Sequence, residues 1–290
     1  MTNKKIGLCL AGGGLQGYSH IGVLKALEEL NINIEYISGT STGGVIASLY
    51  ALGFTPAEIE QICEDLYTKI FKVKKSIFLK MITNFTFKKQ TKIKGLIDGN
   101  QISESINNLA YNKNIKSIQD ITIKLALETV DTKTMKECIF ISEDLEKITD
   151  KSSNIEYINN ISLGDAARAS MSFPGIITPL DYKQYNFIDG GTVNNLPTKI
   201  LKQMGADFII SSSFNLNKYE PSNNMEDIIT RALDIFSYES VLNGRNLSDI
   251  SIEIYNKNTG LITTKSISKT IENGYNETMA QKEKILKMCK

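Results

Sequence analysis

The feature that most constrains the fold is a serine between two glycines, at the junction of an apolar run and a helical pattern. Gly39, Ser41 and Gly43 form a G-x-S-x-G motif that follows the run 34–37 and precedes the helical run 45–52. A strand, a tight Gly-Ser-Gly turn and a helix together form a nucleophile elbow. Such a turn holds its serine in a strained backbone near the positive end of a helix. The motif therefore predicts an α/β fold with a reactive serine hydroxyl.

A glycine-rich loop precedes this motif and belongs to a β-α-β unit. Residues 5–10 are predicted as a central parallel strand, because they are small or apolar on both faces. Residues 18–30 have helical spacing, and residues 34–38 are predicted as the second strand. Parallel neighbours end at the same edge of a sheet, so the loop 12–17 is expected beside Ser41. Its backbone N–H groups would then form an oxyanion hole near Ser41 Oγ.

The same loop has a second interpretation, as a nucleotide-binding site. Gly12, Gly14 and Gly17 fit the dinucleotide fingerprint G-x-G-x-x-G. That fingerprint needs an acidic residue at the carboxyl end of the second strand, to bind a ribose. Glu35 lies at the opposite end of this strand, which argues against the interpretation. A nucleotide-binding α/β protein stays open as an alternative, which an absence of thermal shift with NAD or ATP would remove.

Composition narrows the class of protein. The chain has 290 residues and a net charge of +1, which makes no general case for nucleic acid. Cysteines occur without C-x-x-C spacing, which predicts reduced thiols in a cytoplasmic protein, with no disulfide frame and no metal site. No apolar run approaches transmembrane length. The four cysteines are Cys9, Cys63, Cys138 and Cys289.

The single histidine decides which base can activate Ser41. A serine nucleophile needs a base within hydrogen-bond reach, and in α/β-hydrolases this is a histidine that follows the serine. His20 precedes Ser41, which excludes an ordinary α/β-hydrolase, and we expect it to be a packing or capping residue. Asp189 ends a predicted strand and is followed by Gly190 and Gly191, so its backbone can approach another loop. Asp189 is therefore the preferred base.

Four ordered motifs over about residues 5–213 resemble the patatin-like phospholipases. The motifs are Gly12-Gly13-Gly14 with Gly17 and His20, the run Gly39 to Gly44, Ala169-Ser170 with Pro174 and Pro179, and Asp189-Gly190-Gly191 with Asn195 and Pro197. The resemblance implies a three-layer α/β/α fold with a mostly parallel central sheet. It also implies hydrolysis of lipid acyl esters by a Ser–Asp dyad through an acyl-enzyme, without a cofactor.

Roles follow from the resemblance by matched position. Ser41 would be the nucleophile and Asp189 the proton acceptor. Gly12, Gly13 and Gly14 would line the oxyanion hole. The chain departs from the family at Gln16, where many members carry Arg or Lys. This departure favours an alternative, a catalytically weak lipid-binding or regulatory module.

The resemblance also suggests how the chain is divided. Residues 5–213 are predicted as the catalytic domain, and residues 214–290 as an extension packed on the same domain. Within the first part, residues 69–94 contain nine lysines, no acidic residue and several interleaved phenylalanines. This excursion is either solvated, with its apolar side chains packed on the domain, or a patch that contacts an anionic membrane peripherally. The expected partner is a lipid or phospholipid substrate.

Overall fold

The computed structural model describes residues 4–71, 95–148, 152–215, 225–256, 259, 264 and 266–289. These residues form a mostly parallel central sheet flanked by helices, as predicted. The strands are β1 (Ile6–Leu10), β2 (Tyr36–Thr40), β3 (Gly95–Ile97), β4 (Lys124–Asp131), β5 (Lys136–Ile141), β6 (Ile155–Ile158), β7 (Gly175–Ile177), β8 (Leu180–Tyr182), β9 (Tyr185–Asp189), β10 (Phe208–Phe214) and β11 (Ile250–Ile254). The helices are α1 (Ser19–Glu29), α2 (Thr42–Ala51), α3 (Pro56–Phe71), α4 (Asn100–Tyr111), α5 (Leu163–Ser170), α6 (Thr198–Gln203), α7 (Met225–Asn246), α8 (Ile267–Met279) and α9 (Lys282–Cys289).

The strand order of the main sheet is β11-β10-β1-β2-β4-β5-β6. Strands β11, β10, β1, β2 and β4 pair in parallel, whereas β5 and β9 are antiparallel to β4. Strand β8 pairs with β9 as a hairpin, and β3 and β7 form a separate two-stranded sheet. The parallel half thus carries the predicted β-α-β unit, and the antiparallel half carries the hairpin that ends at Asp189.

Strand β1 is central, as its sequence predicts. Cys9 pairs with Ser38 on β2 and with Ser211 on β10. Leu8, Cys9 and Leu10 are fully buried, because helices cover both faces of the sheet at this strand. The loops after β1 and β2 therefore leave the same edge of the sheet.

Two glycines allow helices α1 and α8 to pack closely. A Cβ atom on Gly22 would lie 1.9 Å from the carbonyl oxygen of Ile271, and one on Gly274 would lie 1.9 Å from that of Ser19. Neither helix accommodates a larger residue at its crossing point without moving. This contact ties the carboxyl-terminal part of the chain to the helix that follows the glycine loop. The proposed division at about residue 213 stays a prediction, although β11 extends the same sheet.

The structure corrects some boundaries. The sequence pattern over about residues 267–287 predicts one terminal helix, but in the structure the helix ends at Met279 and a second begins at Lys282. Strands β3, β6 and β7, of three or four residues each, were not predicted, because so short a run has no clear alternation. The excursion 69–94 lies outside the described residues from residue 72 onward. In the described part of the chain, no helix is both long and apolar enough to cross a bilayer.

Candidate active site

Ser41 lies at the turn between β2 and α2, as the motif predicted. Its backbone has φ 55° and ψ −125°, a left-handed conformation that a residue with a side chain rarely adopts. A Cβ atom on Gly39 would lie 2.5 Å from the carbonyl oxygen of Gly43, and one on Gly43 would lie 2.5 Å from that of Leu10. Both glycines are therefore required by close packing, and together they hold Ser41 at the amino end of α2.

Sheet pairing explains why Asp189 meets Ser41. Strands β2 and β5 flank β4 on opposite edges, and the β2 pairing ends where Thr40 pairs with Glu128. Beyond Glu128, β9 replaces β2 as the neighbour along this edge of β4, and Asp189 lies opposite Thr129. Because β9 runs antiparallel to β4 and β2 runs parallel to it, the two strand ends approach each other. Residues 148 positions apart are thus brought to one point of the sheet edge.

The Asp189 carboxylate is 2% exposed. Its Oδ1 accepts a hydrogen bond of 2.8 Å from the Gly191 N–H, whereas its buried Oδ2 has no hydrogen-bond partner among the described residues. Burial raises the pKa of Asp189 to about 6, and the Ser41 side chain and the Gly191 N–H oppose that shift. Asp189 and Ser41 line one cavity. A carboxylate with one free, desolvated oxygen is suited to accept a proton near neutral pH.

The glycine loop also lines this cavity, but its three N–H groups are not equivalent. The Gly12 N–H donates to Oδ1 of Asn195, at 3.1 Å. The N–H groups of Gly13 and Gly14 have no acceptor in the described part of the chain. Gly14 has φ 55°, and a Cβ atom on Gly13 would lie 2.2 Å from the ring of Phe214. Two backbone donors are thus free to bind an oxyanion, and Gly12 has a different partner.

Asn195 connects the two loops of the site. Its amide accepts from the Gly12 N–H and donates through Nδ2 to the Gly12 carbonyl oxygen, at 3.1 Å each. The sequence placed Asn195 in a motif but assigned it no role. Ser170 was likewise placed in a motif without a role. Its hydroxyl accepts a hydrogen bond of 3.0 Å from the backbone N–H of Ser41. The motif that contains Ser170 was the only signal for it, since α5 is far from Ser41 in the chain.

His20 is a structural residue, as expected. It is fully buried, with Nε2 2.8 Å from the Ala11 carbonyl oxygen and Nδ1 2.8 Å from the Ser212 hydroxyl. A carbonyl only accepts, so Nε2 carries the proton and Nδ1 accepts from Ser212. Burial lowers the pKa of His20 to about 4. Both ring nitrogens are occupied away from Ser41, and the imidazole supports the residue that leads into the glycine loop.

Two cavities meet at Ser41. One, of about 70 Å³, is lined almost wholly by apolar side chains, including Leu66, Ile102 and Ile177. The other, of about 140 Å³, contains the polar groups of Asp189, Asn195 and Gln16, with the ring of Phe214. Gln16 is one of the polar residues that line this cavity. Ser41 thus lies between an apolar compartment and a polar one.

The acidic groups around the polar cavity are few. Asp234 on α7 also lines it, and burial raises the pKa of Asp234 to about 6, with Arg231 opposing the shift. In the described residues, no group of three or more His, Cys, Asp or Glu side chains is arranged to hold a metal ion. Glu35 is exposed and lies before β2, at the end of the strand remote from the glycine loop. The residue required for ribose binding is therefore not at the site.

Comparison with known proteins places the chain in a family. Residues 8–202 match the family model of the patatin-like phospholipases. The chain belongs to this family. It is 30% identical over 213 residues to patatin-like phospholipase domain-containing protein 6 of Homo sapiens, and 28% identical over 211 residues to lysophospholipase NTE1 of Meyerozyma guilliermondii. Each alignment covers 73% of this chain and 13% of the relative, so this patatin-like chain spans a small part of their length.

Solved structures have the same fold. VipD from Legionella pneumophila superposes with a TM-score of 0.53 at 15% identity, covering 97% of this chain and 67% of that one. ExoU in its complex with SpcU, from the type III secretion system of Pseudomonas aeruginosa, gives a TM-score of 0.50 at 16% identity, covering 98% and 52%. At such identities the likeness concerns the fold alone. It agrees with the α/β/α architecture of this patatin-like chain.

Proposed function

We propose that this protein hydrolyses acyl esters of lipids through a covalent acyl-enzyme, with Ser41 as nucleophile and Asp189 as general base. One observation carries the proposal: the strained Ser41 and the desolvated carboxylate of Asp189, with its free Oδ2, line one cavity. A serine needs a base within reach, and the only histidine of the chain is occupied elsewhere. The membership of the chain in a phospholipase family supports the same reaction.

The first half of the proposed reaction forms the acyl-enzyme. Ser41 Oγ attacks the ester carbonyl carbon while its proton passes to Asp189 Oδ2. The negative charge that develops on the carbonyl oxygen is stabilised by the N–H groups of Gly13 and Gly14 and by the amino end of α2. Collapse of the tetrahedral intermediate breaks the ester C–O bond, and Asp189 returns the proton to the leaving alcohol.

The second half releases the acid. A water molecule enters from the polar cavity, loses a proton to Asp189 and attacks the acyl carbonyl carbon. The bond to Ser41 Oγ breaks, and Asp189 gives its proton back to the serine. Asp189 is thus base and acid in turn, which its raised pKa favours because neither protonation state is strongly preferred near neutral pH.

The two cavities support a lipid as the substrate class. The apolar cavity beside Ser41 fits an acyl chain, and the polar cavity fits the alcohol part and the entering water. The names of two relatives, both phospholipases, favour a phospholipid or lysophospholipid. Peripheral membrane contact is part of the proposal, supported by the exposed apolar side chains Ile235 and Phe236 on α7, of which Phe236 also lines the polar cavity.

The test is hydrolysis of a short-chain chromogenic ester and of a lysophospholipid by single variants. Ser41→Ala and Asp189→Asn are each expected to lower kcat/KM by about a thousandfold or more, because nucleophile and base act as one unit. The control is Asp144→Asn, the same chemical change at an exposed position, which should keep wild-type turnover. Asp189→Asn retaining more than about a tenth of the wild-type rate would remove Asp189 from the mechanism.

A second candidate is a lipid-binding module with little turnover. It is favoured by Gln16, which leaves the polar cavity without a basic side chain among its described lining residues. This candidate would be selected if the wild type binds lysophospholipid but hydrolyses it no faster than Ser41→Ala does. Turnover that depends on Ser41 would reject it.

A further inference from the structure

A pair of acidic side chains is buried behind the active-site loop. Glu128 on β4 is fully buried, and its neighbour Glu137 on β5 is half-buried. In the antiparallel pairing Glu128 lies opposite Ile139, and Val130 lies opposite Glu137, so both glutamates project from the same face of the sheet. Oε1 of Glu128 has no hydrogen-bond partner among the described residues. No Lys or Arg in the described part of the chain forms an ion pair with either.

Burial favours the protonated form of Glu128. It raises the pKa of Glu128 well above its usual range, and the charge of Glu137 raises it further. The other titratable groups around Glu128 offer no compensation, because burial raises the pKa of the Cys9 and Cys138 thiols to about 12 and keeps them neutral. Asp189 on β9 lies opposite Thr129, which is the residue after Glu128 on β4. Glu128 therefore keeps its proton to a higher pH than an exposed glutamate.

The pair holds Asn194. Its Nδ2 donates to Oε1 of Glu137 at 2.9 Å and lies 3.4 Å from Oε2 of Glu128. The carbonyl oxygen of Asn194 accepts a hydrogen bond of 3.0 Å from the hydroxyl of Thr40, the residue before Ser41. One residue thus connects the buried carboxyl groups to the turn that carries the nucleophile. The next residue, Asn195, holds the Gly12 peptide.

The start of the same loop also packs on Glu128. A Cβ atom on Gly190 would lie 2.6 Å from the backbone carbon of Glu128. Glu128 therefore lies directly beneath the Asp189-Gly190 peptide, while its carboxyl group reaches Asn194 at the far end of the loop. Contacts at both ends fix the loop against β4.

We propose that Glu128 is a positioning residue: with Glu137 it holds Asn194, and through Asn194 it sets the separation between Ser41 and Asp189. The proposal rests on the hydrolysis proposed above. It assigns the pair no contact with the substrate, since neither glutamate lines either cavity at Ser41. Removing the contact should therefore lower kcat and leave KM nearly unchanged, because small displacements of catalytic groups slow the chemical step.

Protonation of Glu128 controls this contact. When Glu128 loses its proton, its buried negative charge has no ion-pair partner among the described residues and is repelled by that of Glu137, so the two side chains that hold Asn194 move apart. The wild-type kcat should therefore fall at alkaline pH. A glutamine at position 128 is permanently neutral: its amide N–H₂ donates to Glu137, and its oxygen accepts from Asn194. Glu128→Gln should keep the contact and remove the alkaline loss.

The experiment measures kcat and KM with a soluble ester across pH, with thermal unfolding recorded for each variant. At neutral pH, Glu128→Gln should stay within about threefold of the wild-type kcat, and Glu128→Leu should lose at least about tenfold. The double variant Glu128→Leu, Asn194→Ala should be no slower than the slower single variant, because both act through one contact. The matched control is Glu156→Gln on β6, which pairs with Cys138 and so faces the opposite side of the sheet from Glu137.

Each result decides the proposal. A folded Glu128→Leu variant with a kcat within about threefold of wild type overturns it. A double variant whose loss of kcat equals the product of the losses in Glu128→Leu and Asn194→Ala also overturns it. The same alkaline behaviour in wild type and Glu128→Gln also overturns it, and this comparison decides if Glu128→Leu does not fold. These failures differ from failure of the proposed function, in which the wild type has no Ser41-dependent turnover at all.

Discussion

At the scale of single residues, the pKa of Asp189 is expected to set the acid limit of the proposed activity. In the proposed mechanism its carboxylate must be ionised to accept the proton of Ser41, and burial raises its pKa to about 6. The expected kcat/KM is therefore constant between about pH 7 and pH 8 and falls as the pH drops through about 6. At about pH 5 it should be roughly a tenth of the plateau, because kcat/KM reports the ionisation of the free enzyme. A soluble chromogenic ester, assayed between about pH 4.5 and pH 8, gives the profile.

The control for this profile is Asp234→Asn. Asp234 lines the same cavity, and burial also raises its pKa to about 6. If the fall of kcat/KM at acid pH reflects the ionisation of Asp189, the Asp234→Asn variant should show the same fall at the same pH. The assignment would be contradicted if this fall disappears in Asp234→Asn. It would also be contradicted by a kcat/KM that stays constant down to about pH 4.5 in protein that remains folded.

His20 makes a separate prediction, about stability. Its pKa is lowered from 6.5 to about 4, so the unfolded state binds the proton more readily. The stability from the neutral imidazole is present above about pH 6.5 and is lost as the pH falls toward 4. The free energy of unfolding should therefore fall by about 2 kcal/mol more in the wild type than in His20→Asn between about pH 7 and pH 5. Urea unfolding at both pH values measures this difference, and parallel losses in both proteins would argue against it.

The roles of other residues in the site could not be predicted from the sequence. Ser41 and Asp189 were predicted because each is embedded in a local glycine motif. The partner of Gly12 was not, since Asn195 is 183 residues away, and the sequence treated Gly12, Gly13 and Gly14 as equal candidates for the oxyanion hole. Glu128 had no local signal at all. The role proposed for it arises from a sheet register that places it beside Glu137 and beneath Gly190.

At the scale of elements, local patterns predicted the strands and helices that build the Ser41 side of the site. The unit β1-α1-β2 was predicted within about two residues, because its apolar spacing is long and regular. The break near Ala280 between α8 and α9 was missed, since the polar residues there continue a helical composition. The crossing of α1 and α8 at Gly22 and Gly274 was also beyond prediction, because neither glycine reports its partner.

At the scale of the whole molecule, the antiparallel pairing of β9 with β4 creates the site. The sequence predicted a strand that ends at Asp189, but it did not predict the strand order, since pairing partners depend on contacts distant in the chain. The structure shows β9 occupying the edge that β2 leaves, which brings the two motifs together. The apolar and polar cavities that meet at Ser41 are a consequence of this arrangement and of the helices around it.

The central claim, that Ser41 is an activated nucleophile, is tested most directly by covalent labelling with a fluorophosphonate. The account predicts a mass increase of one phosphonyl group in the folded wild type, located on Ser41 by peptide mapping. Ser41→Ala should not be labelled, and Asp189→Asn should react far more slowly, because its amide cannot accept the serine proton. Absence of labelling in the folded wild type, or equal labelling in wild type and Ser41→Ala, would contradict the account.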